Sequence, residues 1–172
     1  MKDNNEYKKD YQNPTDGYCF SIIQTKDNEI CYSEYNNSQI SFFDFVERKK
    51  KASIQNISKK NAPIERLTMI RKDLLLIPGE NKISIINTNE YKLVRTIEVP
   101  GADWIFGVCM LNKNMLLTGD CAKIIRQWKI EGDNLILISQ KEKTHDKEIF
   151  VLCNMGNGLI ASGSDDNTIK IW

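Results

Sequence analysis

One spacing constrains this chain more than any of its other features. The clearest copy of the pattern runs from Ile160 to Trp172. It begins Ile160-Ala161-Ser162-Gly163, turns through Ser164-Asp165-Asp166-Asn167, and ends Thr168-Ile169-Lys170-Ile171-Trp172. The frame returns as Leu116-Leu117-Thr118-Gly119 leading to Trp128, Leu74-Leu75-Leu76 leading to Ile86, and Cys31-Tyr32-Ser33 leading to Phe43. The anchors Phe43, Ile86, Trp128 and Trp172 lie 43, 42 and 44 residues apart. Four short strands with their turns use about 40 to 45 residues, so this period predicts repeated four-stranded units.

Each unit then divides by period-2 alternation and turn residues. Unit one is expected to have strands at 18–24, 29–33, 38–45 and 52–57. Unit two has them at 66–70, 74–77, 82–87 and 93–99, and unit three at 105–111, 115–119, 124–130 and 135–140. Unit four has three, at 149–154, 159–163 and 168–172, and lacks a fourth. Asn36-Asn37, Pro78-Gly79-Glu80-Asn81, Gly132-Asp133-Asn134, Gly156-Asn157-Gly158 and Asp165-Asp166-Asn167 are the turn signals. A twisted antiparallel sheet of this kind has two apolar faces that it cannot bury alone, so neighbouring units must stack and share a core. In the third strands Ile40 and Phe42, Ile83 and Ile85, and Ile169 and Ile171 are expected to face one neighbour. Phe43, Ile86, Trp128 and Trp172 face the other, and Gln127 is the polar exception in unit three. The expected organisation is a polar tail over 1–16 and four units over about 17–60, 61–100, 101–143 and 144–172. In the tail, 7–12 could alternatively add a strand to an open edge.

Composition removes several functional classes. A net charge of +1 gives no global electrostatic case for nucleic acid or an anionic membrane. No apolar run approaches the roughly 20 residues of a membrane helix, and the start of the chain has no apolar segment of the kind a secretory signal requires. An intracellular and mainly cytoplasmic location is therefore expected. Cys19, Cys31, Cys109, Cys121 and Cys153 are odd in number with no Cys-x-x-Cys spacing, and His145 is the only histidine. They read as buried, reduced thiols rather than metal ligands. No metal or cofactor is expected.

These units resemble the WD-repeat β-propeller family, most specifically in unit four, well in unit three and in degenerate form in units one and two. Thr144-His145 stands where the family often carries Gly-His. The Asp that follows the anchor survives only as Asp44 and is replaced by Asn87 and Lys129. The resemblance implies an all-β, partial propeller, open or four-bladed, with four-stranded antiparallel blades. It also implies a structural hydrogen-bond network of His145, Ser162, Asp166 and Trp172, in which the donors and acceptors of these groups can be matched. Unit three keeps Thr118 and Trp128, with Gly101 and Ala122 where His and Asp would stand. At these network positions unit two has Leu76, Glu80 and Ile86, and unit one has Ser33, Asn37 and Phe43, so both are expected to be held mainly by apolar stacking.

Ser, His and Asp together also invite a catalytic reading, but a nucleophilic serine must be exposed beside its base. No catalytic site is expected. The resemblance implies a non-catalytic scaffold that assembles multiprotein complexes. Its candidate partner contacts are Trp104, Phe106 and Cys121 in unit three, with Glu148, Phe150 and Asp165 in unit four. Trp104 and Phe106 could alternatively fill the groove between units. The stretch Arg48-Lys49-Lys50-Lys51, followed by Lys59-Lys60, supports the rival reading of an RNA- or ribonucleoprotein-associated propeller, or a nuclear signal. The favoured reading is that these lysines keep an exposed outer strand soluble and unpaired, since no aromatic residues interleave with them as single-strand binding would want. Protein partners are expected, with nucleic acid less favoured and no membrane. Self-association through incomplete unit edges is a further expectation.

Overall fold

Alternate residues of the third strand pack against different neighbours in units two and three, and this stacks the sheets in chain order. The computed structural model describes Thr15 and residues 17–35, 38–57 and 64–172. Sheet one comprises β1 (Ile22–Lys26), β2 (Glu29–Glu34), β3 (Gln39–Asp44) and β4 (Lys49–Ile54). Sheet two comprises β5 (Thr68–Arg71), β6 (Leu74–Pro78), β7 (Lys82–Asn87) and β8 (Lys92–Glu98). Sheet three holds β9 (Ile105–Asn112), β10 (Met115–Asp120), β11 (Ile125–Glu131) and β12 (Asn134–Lys141). Sheet four holds β13 (Ile149–Gly156), β14 (Leu159–Ser164) and β15 (Ile169–Ile171). Every sheet is an antiparallel meander of sequential strands, and no α-helix occurs among the described residues.

The core is three interfaces rather than one centre. Ile40, Phe42 and Cys31 of sheet one meet Leu75, Ile77 and Ile86 of sheet two. On the opposite face of sheet two, Leu76, Ile83 and Ile85 meet Leu116 and Trp128 of sheet three. Leu117 and Ile125 of sheet three then meet Leu152, Ile160 and Trp172 of sheet four. Each fully buried Leu or Ile contributes on the order of 2 kcal/mol of burial free energy. Beyond sheet four the same columns are bare: Ile169 and Ile171 are 77% and 53% exposed, whereas Ile83 and Ile85 are fully buried.

Several strand positions differ from the sequence expectation. The first inner strand begins at Ile22 rather than 18, and Tyr18 and Phe20 are exposed. A bulge between Gln24 and Lys26 extends β1 past its apolar residues and turns Thr25 inward, where its hydroxyl donates to Glu29 Oε1 at 2.7 Å. The outer strand of unit one starts at Lys49, so the lysines lie within it rather than flanking an apolar strand at 52–57. Apolar alternation misplaces this strand because one of its faces looks to solvent. The thiols also divide: Cys31 and Cys109 are buried, but Cys19 and Cys153 are exposed and Cys121 is half-buried. Cys153 shares the repeat column of Cys109 and lies on the bare face of sheet four. The turn at Asn36-Asn37, the tail at 1–14 and Lys59-Lys60 lie outside the described residues.

The third interface is tight enough to test. A Cβ added at Gly119 would come within 2.7 Å of Ile149 Cγ2 and 3.3 Å of its Cβ, and Ile149 is fully buried and β-branched. Gly119→Ala should therefore cost about 1 to 3 kcal/mol in a denaturant melt. An unchanged midpoint would mean that sheets three and four are less closely packed.

Candidate functional site

Unit four contains a buried chain of polar side chains. Trp172 Nε1 donates to Ser162 Oγ at 2.8 Å, and Ser162 Oγ lies 2.7 Å from His145 Nε2. His145 Nδ1 lies 2.8 Å from Asp166 Oδ2. One neutral tautomer satisfies every group: Ser162 donates to Nε2, and Nδ1–H donates to the carboxylate. Asp166 also accepts from the Asp146 and Thr168 backbone N–H groups and from the Thr168 hydroxyl. Burial pushes its carboxyl upward, but these hydrogen bonds outweigh that and hold it well below the usual carboxylate range. Ser162 and His145 are almost fully buried, and the serine hydroxyl is committed on both sides. Nothing the size of a substrate can reach it, so the Ser–His–Asp order is not an accessible nucleophilic site.

Unit three reaches the same end with different chemistry. Trp128 Nε1 donates to Thr118 Oγ1 at 2.9 Å, repeating the Trp172–Ser162 bond. The neighbouring space holds a buried Arg126–Asp120 ion pair, and Arg126 also donates to the Pro100 carbonyl at 3.4 Å. Lys170 fills the equivalent column in unit four and donates to the Thr144 carbonyl at 2.8 Å. The sequence signal for these two cations is a basic residue two positions before each tryptophan anchor, Arg126 and Lys170.

In units one and two the assignment of Ser33 and Leu76 to the network column is corrected. Phe43 pairs with Ile30 and Ser41 with Tyr32, while Ile86 pairs with Leu75 and Ser84 with Ile77. The residues in register with Ser162 are therefore Tyr32 and Ile77, because the hairpin of unit one is one residue longer, and that of unit two one residue shorter, than those of units three and four. Nor is apolar stacking their only support. Tyr91 of unit two donates to the buried Glu29 of unit one at 2.5 Å, and Lys26 donates to the Thr88 carbonyl across the same interface. Glu34, Ser41 and Gln39 form a second buried polar group.

At the start of the inner strands, the candidate contact residues come together. Register shifts beside Gly119 and Ile149 leave Phe106 and Phe150 without a ladder partner. Trp104 stacks on Phe106 with centroids 6.3 Å apart, and Phe106 meets Phe150 at 5.2 Å, forming one aromatic row across units three and four. Cys121 N donates to the Trp104 carbonyl at 2.9 Å, and Asp165 N to the Glu148 carbonyl at 3.1 Å, fixing each turn beside its inner strand. Phe150 and Asp165 are exposed, whereas Trp104, Phe106, Cys121 and Glu148 are half-buried.

The basic stretch of unit one is electrostatically occupied. Lys49 and Lys51 pair with Glu47 at 2.7 and 2.8 Å, and Lys50 pairs with Glu34 at 3.3 Å. The Lys49 and Lys51 bonds hold the Glu47 carboxyl down at about 2. No group of three or more His, Cys, Asp or Glu side chains could hold a metal ion among the described residues.

His145→Ala and Trp172→Ala should each cost about 1 to 3 kcal/mol, and the double variant less than their sum, in denaturant melts. Because the Asp166 carboxyl is depressed on folding, its contribution is present above the unfolded value near 4 and is lost as pH falls through the folded one. Hydrogen-exchange protection, relative to the intrinsic amide rates, should accordingly fall in sheet four on acidification below about pH 4, and less so in Asp166→Asn. In unit three, Arg126→Ala strands a buried carboxylate and should cost about 3 to 5 kcal/mol, while Arg126→Met with Asp120→Leu should recover much of that loss. If the double variant melts no higher than the single one, the pair does more than neutralise itself.

No family model and no curated protein matches this chain by sequence. Solved structures match its fold. The WD40 β-propeller domain of Doa1 aligns with a TM-score of 0.75 at 15% identity, over 92% of this chain and 51% of that one. A chain in the crystal structure of the mitotic checkpoint complex aligns with a TM-score of 0.70 at 14% identity, over 84% of this chain and 45% of that one. The chain spans about half the length of these structures. Its four stacked antiparallel sheets are thus consecutive blades of a WD40-type β-propeller fold.

Proposed function

We propose that this chain is a non-catalytic protein-interaction scaffold that helps assemble a multiprotein complex. The row Trp104–Phe106–Phe150 carries the reading, because three adjoining rings at the mouth of two blades supply the aromatic anchoring that protein partners use. Cys121, Glu148 and Asp165 flank the row. His145, Ser162, Asp166 and Trp172 act structurally, pinning the turn of unit four to its inner strand. The paired lysines of unit one favour a protein partner over RNA, since their charge is already met by carboxylates. WD40-type propellers are typically interaction domains, and one structural neighbour comes from a multiprotein complex.

A photo-crosslinker placed at Trp104 should capture a discrete protein in extracts of the native cell, while one at Asn114, at the opposite end of β9, should not. Trp104→Ala should abolish co-purification of that protein with little change in melting temperature. A fall of about 4 °C or more, or insolubility, would instead make the ring a packing element between blades.

A further inference from the structure

The aromatic row sits in an acidic setting that specifies what it can receive. Asp103 immediately precedes Trp104, and Glu148 enters from unit four two residues before Phe150. The other charges on this face are largely answered. Asp120 is paired with the buried Arg126, Asp165 with Lys147 at 3.1 Å, and Glu65 has Arg66 beside it. Among the described residues, no lysine or arginine forms an ion pair with Asp103 or Glu148. Their convergence is felt at Cys121: burial pushes its thiol up, and the carboxylates of Asp103, Glu148, Asp120 and Glu65 push it further, to about 11. The Asp103 carboxylate also accepts from the Trp104 backbone N–H at 2.8 Å, which holds it at the edge of the row.

Electron-rich ring faces and uncompensated carboxylates share one complement, a cation with an apolar stem. Its charge is attracted both by the ring quadrupole and by the carboxylates, and its methylenes cover aromatic surface. An acidic or phosphorylated segment would meet repulsion here, and a purely apolar one would leave the carboxylates facing an uncharged surface. We propose that the segment docking on this face presents a lysine or arginine to the Phe106 and Phe150 rings, matched by Asp103 and Glu148. The proposal rests on the aromatic row being the partner-binding face.

The test uses short peptides as probes, read through the Trp104 indole N–H resonance of the whole chain. Ac-Gly-Ser-Arg-Ser-Gly-amide should shift that resonance in a saturable way, and the same peptide with neutral citrulline in place of arginine should not. Asp103→Asn and Glu148→Gln should each weaken the arginine peptide by about threefold or more, and Phe150→Ala by a similar factor. Asn at 103 keeps the acceptor for the Trp104 N–H, so these variants should retain the parent melting temperature. Equal binding of the citrulline peptide, indifference to both carboxylate variants, or no saturable shift at millimolar peptide would each overturn the proposal. The crosslinking result at Trp104 stands apart from these outcomes. A protein captured there whose binding ignores Asp103→Asn and Glu148→Gln would leave the scaffold reading intact and remove only the cationic anchor.

Discussion

Burial of both faces of every sheet is the constraint from which the rest of the structure follows. A four-stranded meander satisfies its own backbone but exposes apolar side chains above and below. Leu75 and Ile86 on one side of sheet two, and Leu76 and Ile85 on the other, find partners only in the preceding and following units. Stacking is therefore the tertiary structure, and stability is distributed among interfaces rather than held in a single core. The bare Ile169 and Ile171 mark where that logic leaves an apolar surface on the described chain.

Polar groups supplement the stacking, and each unit solves the problem differently. Unit four links Trp172 to Asp166 through Ser162 and His145. Unit three keeps the first hydrogen bond and then substitutes an ion pair, with Arg126 spanning from Asp120 to the Pro100 carbonyl. Units one and two are joined by Glu29, Tyr91 and Lys26 across their interface. In each case a buried polar atom obtains a partner, as the low local dielectric demands, while its chemical identity is free to change. That freedom lets the fold persist at 14 to 15% identity with solved propellers.

The repeat and the alternation of Ile83, Ile85 and Ile86 were legible in the sequence because both follow from burial, which acts on residue type. Hairpin length was not legible in the same way. A fixed offset of ten residues from the anchor works for Thr118 and Ser162, but a longer hairpin in unit one and a shorter one in unit two shift the register and bring Tyr32 and Ile77 into that column. A one-residue shift moves a side chain to the other face, so Leu76 supports sheet three rather than a network in sheet two. The strand beginning at Lys49 was hidden because an outer strand with a solvated face need not alternate in hydrophobicity.

The same irregularities that blur the sequence signal build the candidate interaction face. In a perfect ladder every side chain of an inner strand points toward one neighbouring blade or the other, and none is left for a partner. The bulges beside Gly119 and Ile149 break that rule once in each of two adjacent strands. Phe106 and Phe150 are the residues released, and their rings meet each other instead of the ladder. A bulge gives up one local backbone pairing while leaving the strand paired on either side, so the core beneath remains closed. Rigidity below and released rings above are what a binding surface requires, because the anchors need not be ordered when a partner arrives.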